Sequence, residues 1–336
     1  MNGWQTRPTQ ADIARETGLS SAAVSYALRG IRLPEETQQR VREVAERLGY
    51  ETNPIARALA CGRTGTVGVL CASLQDVWQQ GLAAALGRAF VADGRKVMIV
   101  DAGSDPDAET ELSKRLVDDR VDALVVLPVD PAADHWTALA ERTPLVSIGD
   151  ALPTASPAAE VVFDNTAGVT RAIDVLVDAG HTHICALTGG GPSTPDRPAE
   201  VLLRRLGTER GVQICLVTAP HDLAGASAAA AAVLGRADRP SAMFCLADAF
   251  AYGVYAAAAD LKLPIPQDIS VLGYDDHPFS RLLSPGLTTF RWPEAQLVAE
   301  VVEHTARAID EGRRTKRTVL SPELVTRGSV AHLGGR

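Results

Sequence analysis

The hydrophobic pattern changes its period once along the chain. Over residues 9–48 apolar positions recur at helical spacing and no alternating strand pattern occurs, which predicts three short helices. The first runs from Thr9, placed as its N-cap, through Ile13 and Ala14 to Thr17. Gly18-Leu19-Ser20 then makes a tight turn, Gly18 taking positive φ and Ser20 capping the next helix. That second helix, Ser21–Leu28, turns Ala23, Val24, Ala27 and Leu28 to one side and leaves Ser21, Ala22, Ser25, Tyr26 and Arg29 on the other. The third, Glu35–Leu48, carries Val41, Val44, Ala45 and Leu48 at i, i+3, i+4 and i+7 and closes a miniature core. Beyond Thr66 short Val/Leu/Ile runs at 67–71, 96–100, 123–127, 145–148, 184–187, 214–217, 243–246 and 269–272 alternate with helical stretches, the rhythm of a parallel α/β body. These eight strands fall into two sets separated by an interruption around 149–160, which predicts two doubly wound lobes rather than one barrel. The alanine-rich stretch 224–234 reads as a helix packed on a sheet, and the helix predicted over 294–310 returns to the first lobe.

Two helices joined by a glycine-containing turn of about three residues make a helix-turn-helix, whose second helix is the reader. A polar, small-residue face on that helix is what entry into a major groove requires, although a plain three-helix module fits the same spacing. Asn53 as N-cap with Pro54 at the first helical position then starts a helix of only about two turns, too short to be stable in water without a partner. Leu59 at its far end either packs on a second copy or wedges between base pairs, and an ordinary linker turn fits these residues equally well.

Charge sharpens this division. The formal charge of −8 conceals 9 Arg/Lys against 7 Asp/Glu in residues 1–66 and 24 against 34 in the remainder, so the only basic segment is the small one. A basic head on an acidic body suits a modest nucleic-acid-binding module attached to a larger part that does not bind polyanions. With 336 residues, 46% hydrophobic and 22% charged, the chain is an ordinary globular protein of two or three domains. No apolar run approaches the roughly 18–20 residues of a membrane helix. The start lacks the basic and apolar regions of a secretory signal, which leads us to expect a cytoplasmic protein without membrane contact. Five scattered cysteines, Cys61, Cys71, Cys185, Cys215 and Cys245, predict free thiols rather than a disulfide framework.

Catalytic patterns are missing. There is no G-x-G-x-x-G opening a helix, no phosphate-binding loop and no G-x-S-x-G elbow; Gly189-Gly190-Gly191-Pro192 follows a strand without the lysine such a loop needs, and reads as a loop at a cleft edge. His181, His183 and Cys185 alternate as metal ligands could, but Cys185 sits in an apolar strand, so neither metal nor cofactor is expected. Asp275-Asp276 ends a strand, where carboxylates can accept hydrogen bonds from a ligand, with no nucleophile or base beside them.

The strings Pro8-Thr9-Gln10-Ala11-Asp12-Ile13-Ala14, Val24-Ser25, Leu28, Gly30, Glu35-Glu36-Thr37, Leu48-Gly49-Tyr50, Asn53, Ala56-Arg57, Leu59 and Gly62-Arg63-Thr64-Gly65-Thr66-Val67-Gly68-Val69 resemble the lactose-repressor/galactose-repressor family, and the resemblance spans essentially the whole chain. It implies a small all-α helix-turn-helix head at 1–50, a hinge at 51–63, and at 64–336 an α/β body of two doubly wound parallel-sheet lobes of periplasmic-binding-protein-like type. Lobe 1 is expected at about 64–159 and 294–318, lobe 2 at about 160–293 and 319–336. It implies DNA contacts from Thr9, Ser20, Ser21, Ala22, Ser25, Tyr26 and Arg29, and from the hinge residues Asn53, Ala56, Arg57 and Leu59, the leucine prying open a central base step. It implies effector contacts across the cleft from Asp164, Arg197 and Asp275, and places Gln79 and Asp248 at further site positions. Trp78 or Trp292 could supply the ring platform a sugar needs, or be core.

Departures fall where specificity is set. Ala23 and Tyr26 stand where the family often has Thr and Arg, removing a bidentate guanine reader; Pro34 replaces the usual serine before the third helix. In the body the family's Asn-Asp pair reads Ala247-Asp248, and its glutamine near the second hinge has become Trp292. The whole reading is a cytoplasmic homodimeric repressor on a pseudo-palindromic double-stranded operator, controlled by a small effector such as a sugar. The tail beyond the last helix has no heptad, so no tetramer is expected. The competing class is an α/β ligand-binding protein or enzyme with an incidental helical head.

Overall fold

The computed structural model describes residues 8–50, 62–191, 196–220 and 222–333, and the chain divides into two compact units at Thr64/Gly65. In the first unit α1 (Gln10–Thr17), α2 (Ser21–Leu28) and α3 (Glu35–Leu48) form where the periodicity places them. At the start of α1 the Asp12 carboxylate accepts hydrogen bonds from the Thr9 backbone N–H (2.9 Å) and hydroxyl (2.7 Å), which together hold its pKa below the usual carboxylate value. Gly18 ends α1 at φ +71°, and the Ser20 hydroxyl oxygen accepts from the Ala23 N–H at 3.2 Å. Ile13, Ala14, Val24, Ala27, Val41, Val44 and Ala45 are buried together, with Leu19, Leu28, Leu33, Leu48 and Tyr50 packed around them. Pro34 caps α3 without a side-chain hydrogen bond, and α3 closes at Gly49 in the left-handed region.

The second unit holds two parallel sheets. The first is six-stranded, in the order β11-β5-β4-β3-β1-β2, from β1 (Thr66–Cys71), β2 (Lys96–Asp101), β3 (Ala123–Val126), β4 (Leu145–Gly149), β5 (Ala159–Phe163) and β11 (Thr318–Leu320). Alternation along β1 sends Val67, Val69 and Cys71 to one face, beneath α4 (Val77–Ala92) and α11 (Glu294–Glu311). Leu70 faces the other side, beneath α5 (Pro106–Asp118) and α6 (His135–Arg142). A Cβ at Gly68 would stand 3.2 Å from the Leu116 side chain, so glycine is what lets α5 lie this close to β1.

The second sheet, β7-β6-β8-β9, comprises β6 (His183–Thr188), β7 (Gln213–Thr218), β8 (Ala242–Cys245) and β9 (Ser270–Leu272). One face is covered by α7 (Asn165–Asp178) and α8 (Asp196–Arg210), the other by α9 (Leu223–Leu234) and α10 (Asp248–Asp260). The alanine-rich α9 lies on α10 as well as on the sheet: a Cβ at Gly253 would come within 2.5 Å of the Ala226 Cβ, a separation that only small residues on both helices allow.

The chain passes between the sheets at 163–165, 291–294 and 320–323. Two expected boundaries are therefore corrected. The strand 159–163 lies in the first sheet rather than opening the second lobe, and 318–320 completes that sheet beside β5. Four strands lacked a sequence signal: β5, β11 and the antiparallel pair β10 (Thr289–Arg291) and β12 (Glu323–Val325). Three of them are only three residues long. β5 carries Glu160 at its second position, a charge that breaks the apolar run but accepts hydrogen bonds from the Leu152 N–H and from Arg317.

Candidate functional site: a reading helix and an interlobe cleft

On the head, α2 buries Val24 and Ala27 and leaves Ser20, Ser21, Ala22 and Arg29 exposed, with Ser25 and Tyr26 half-buried. The Tyr26 ring gathers two guanidinium groups: Arg29 and Arg32 lie 5.3 and 5.0 Å from its centroid, and Arg32 Nη1 donates to the Tyr26 hydroxyl at 3.2 Å. The tyrosine that removes an arginine from the helix thus organises two others at its C-terminal end. Arg32, at φ +62°, follows the helix and was not legible from helical spacing. Asn53, Ala56, Arg57 and Leu59 lie outside the described residues.

In the body a cavity of about 290 Å³, at the small end of ligand sites, opens at the carboxyl ends of the strands of both sheets. From the first sheet come Ser73, Asp76, Trp78, Gln79 and Asp150; from the second, the Gly189–Gly191 loop, Ala247, Tyr274 and Asp275; Phe163, Asn165 and Trp292 stand at the crossovers. Its wall is a run of rings. Trp78 meets Phe163 edge-on at 5.6 Å, Phe163 stacks on Trp292 at 4.2 Å, and Trp292 meets Tyr274 edge-on at 5.6 Å. Trp292 is only 4% exposed, whereas Trp78 is half-buried. Both tryptophans therefore pack into the core while lining the cleft.

The polar groups are placed by local structure. Asp76 caps α4, accepting from the Trp78 N–H at 2.8 Å, and the Gln79 carbonyl oxygen accepts from the Ser73 N–H at 3.2 Å. Asp275 is held at φ +125° by its own N–H donating to the Phe290 carbonyl at 2.7 Å. Burial, and then the charges of Asp76 across the cleft and Asp248 behind it, push its pKa well above the usual carboxylate value; hydrogen bonds from the Asp248 backbone and the Trp292 side chain oppose this. Asn165 is 4% exposed: its Oδ1 accepts from the Tyr274 hydroxyl at 3.2 Å, and its Nδ2 has no partner among the described residues although the residue lines the cavity. A buried donor left unpaired in this way is costly unless something else bonds to it. The tyrosine that fixes Asn165 lies against Gly168, where any Cβ would overlap its hydroxyl.

Trp78, Gln79, Asp275 and Trp292 all line this one cavity. Two expected residues are not in the cavity wall. Asp164 caps α7, its Oδ1 accepting from the Ala167 N–H at 3.0 Å. Asp248 is 1% exposed and fully engaged behind the cleft: Thr289 donates to Oδ1 at 2.6 Å, and the His277 N–H and Ser280 hydroxyl donate to Oδ2 at 2.9 and 2.5 Å. The Arg197 side chain lies outside the described set. Sequence reasoning missed Asp76, Asp150, Phe163, Asn165 and Tyr274. Asp150 follows Gly149 at the end of β4, so the strand-end rule that found Asp275 would have found it too. His181 does not join His183 and Cys185 as a ligand set; it is buried beneath the sheet edge, Nδ1 2.8 Å from the Ser241 hydroxyl. Among the described residues no group of three potential metal ligands converges, and no helix is long and apolar enough to cross a membrane.

Residues 173–330 match the family model described as a periplasmic binding protein-like domain. The chain is 28% identical to the ribose operon repressor of Haemophilus influenzae, the match covering 97% of this chain and 99% of that one. It is 27% identical to the HTH-type transcriptional repressor PurR of Vibrio vulnificus, over 96% and 98% of the two chains. Among solved structures, the lac repressor dimer bound to operator and the anti-inducer ONPF superposes with a TM-score of 0.84 at 22% identity, covering 97% of this chain and all of that one. With a helical first unit followed by an α/β body whose cleft opens at the strand ends, the chain is thus similar over nearly its whole length to proteins named as transcriptional repressors.

Proposed function

We propose that the protein is a cytoplasmic, homodimeric repressor whose α2 reads each half of a pseudo-palindromic operator and whose cleft binds a small, donor-bearing metabolite of the sugar or nucleoside kind. The observation that carries the DNA-binding reading is the outward face of α2: Val24, Ala27 and Leu28 pack on the head core, which leaves Ser21, Ala22, Ser25 and the Tyr26–Arg29–Arg32 cluster on the side away from it. Serines and small residues admit the helix to a groove, and the two guanidinium groups fit phosphates or base edges. The relatives named for a ribose operon and for PurR, and the neighbour bound to operator, support the same reading.

The dimer is supported by apolar side chains left in solvent. Met98 and Ile99 on the edge strand β2 are each 40% exposed, and in the second lobe Phe279 and Leu282 are 58% and 72% exposed. For the cleft, Asp76 belongs to the first lobe and Asp275 to the second, and the Asp76 charge raises the cost of ionising Asp275. A ligand donating hydrogen bonds to both lowers that repulsion, and so prefers one lobe arrangement; this differential affinity is what can reach the operator.

The test has two parts. Full-length protein is titrated with DNA flanking its own coding sequence, and its thermal midpoint is recorded against sugars, sugar phosphates, nucleosides and amino acids. Saturating ligand at 100 times its Kd adds about 2.7 kcal/mol and should raise the midpoint by several degrees. Binding of DNA that a midpoint-raising compound changes supports the proposal; a protein that binds none of the flanking DNA contradicts it.

A further inference from the structure

Apart from the cleft and the reading helix, the second lobe contains a pair of thiols that the regulatory reading does not use. Cys185 on β6 and Cys215 on β7 are direct partners in a parallel, in-register ladder, so both side chains leave the sheet on the same face. Adjacent strands lie about 4.8 Å apart, within the Cα separations that disulfides span. The two thiols are within hydrogen-bonding contact of each other. Cys245 on β8 shares that face but pairs with Leu187, while Cys185 pairs with Met243, so the thiol directly opposite Cys185 is Cys215.

The two sulfurs differ in access and in ionisation. Cys185 is fully buried, whereas β7 is an edge strand paired only with β6 and Cys215 is half-exposed. A hydrogen bond from Cys185 and the nearby positive charge of Arg236 favour the Cys215 thiolate and outweigh its partial burial, pulling its pKa down to about 7; the Cys185 thiol is pushed upward by the same pairing and by burial. A thiol shifted down in this way is a thiolate more of the time at neutral pH than an unperturbed one. Cys71 and Cys245 are pushed the other way by burial, Cys71 to about 12.

We propose that Cys215 and Cys185 are an oxidisable dithiol, in which a hydroperoxide attacked by Cys215 leads to a cross-strand disulfide with Cys185. The Cys215 thiolate attacks a peroxide oxygen, the O–O bond breaks, and water or an alcohol leaves after taking up a proton; the product is a sulfenic acid. The Cys185 sulfur then attacks the sulfenic sulfur, the S–O bond breaks, and the hydroxyl leaves as water with the Cys185 proton. Two electrons pass from the two thiols to one peroxide. The link ties β7 to β6, the strand that leads directly into the Gly189–Gly191 wall of the cleft, where a Cβ on Gly190 would stand 2.8 Å from Thr218 at the end of β7.

The test is hydrogen peroxide added in small excess to the reduced, full-length protein at pH 7, followed by thiol counting and peptide mapping. The expected result is loss of two thiols per chain in a Cys185–Cys215 disulfide, with Cys215 alkylated about tenfold or more faster than Cys71 and Cys245 before oxidation. C185S should stop at a Cys215 sulfenic acid that dimedone captures, and C245S should leave the disulfide yield unchanged. Reaction of Cys215 no faster than the buried thiols, or a disulfide joining any other pair, overturns the proposal. If C185S does not fold, the map of the unaltered chain decides alone.

Discussion

Asp275 and Asp248 show how one residue type does two jobs a few ångströms apart. Both follow a strand end, and the family resemblance placed both in the cleft. What separates them is donor supply: Asp248 already has two hydroxyls and a backbone N–H, whereas Asp275 lines the cavity and faces Asp76. Asp248→Ala should therefore destabilise the body by about 2–4 kcal/mol through stranded donors, read as a fall in thermal midpoint of the unliganded protein. Asn165→Asp is a different experiment. It keeps an acceptor for the Tyr274 hydroxyl and replaces the unpartnered donor with an acceptor, so the midpoint without ligand should hold while the rise given by a cleft ligand shrinks; an undiminished rise would remove Nδ2 from ligand contact. His181 supplies a pH effect. Burial lowers its pKa from 6.5, the nearby Ala331 backbone carbonyl notwithstanding, so the folded state holds the neutral ring. The stability this contributes is present above about 6.5 and is lost as pH falls toward the depressed folded value. The midpoint of the protein should drop between pH 7.5 and 5.5, and His181→Gln should flatten part of that drop.

At the scale of elements, what was legible had a strong local signal. The head helices appear at their expected ends because a cap or a glycine marks each one, and Ser20→Ala should cost the head about 1 kcal/mol, measurable by hydrogen exchange of its amides in the full chain. Eight strands were legible as apolar runs, the inner ones buried and the edge strands β2 and β7 partly exposed. The four others were not: β10, β11 and β12 have three residues each, too few to show a period, β5 is interrupted by Glu160, and their pairing is decided by distant partners such as Val161 with Thr318 and Phe290 with Leu324. The same limit applies to the cleft. Trp78 and Trp292 were legible as rings near the site, but the stack through Phe163 and Tyr274 unites residues from both sides of two crossovers, and no spacing in the chain announces it. Arg32 escaped for a related reason, because it reaches Tyr26 from beyond the helix end rather than along a helical face.

For the whole molecule the claims concern assembly and DNA. If Met98, Ile99, Phe279 and Leu282 are covered by a second copy, Ile99→Lys and Leu282→Asp should shift the protein to monomers in sedimentation and weaken operator binding, since one head alone loses the benefit of two joined half-sites. Unchanged dimers with both substitutions would place the interface elsewhere. The regulatory account rests above all on a basic reading head attached to an acidic body. Its most decisive test is the affinity of the full-length protein for DNA flanking its own coding sequence, measured by fluorescence anisotropy across a salt series and repeated with the Tyr26→Ala, Arg29→Ala variant. The expected outcome is one fragment bound far more tightly than its neighbours, with log K falling linearly against log salt at roughly −0.9 per neutralised phosphate, and that preference lost in the variant. Weak binding that is the same for every fragment and untouched by the substitutions would contradict it.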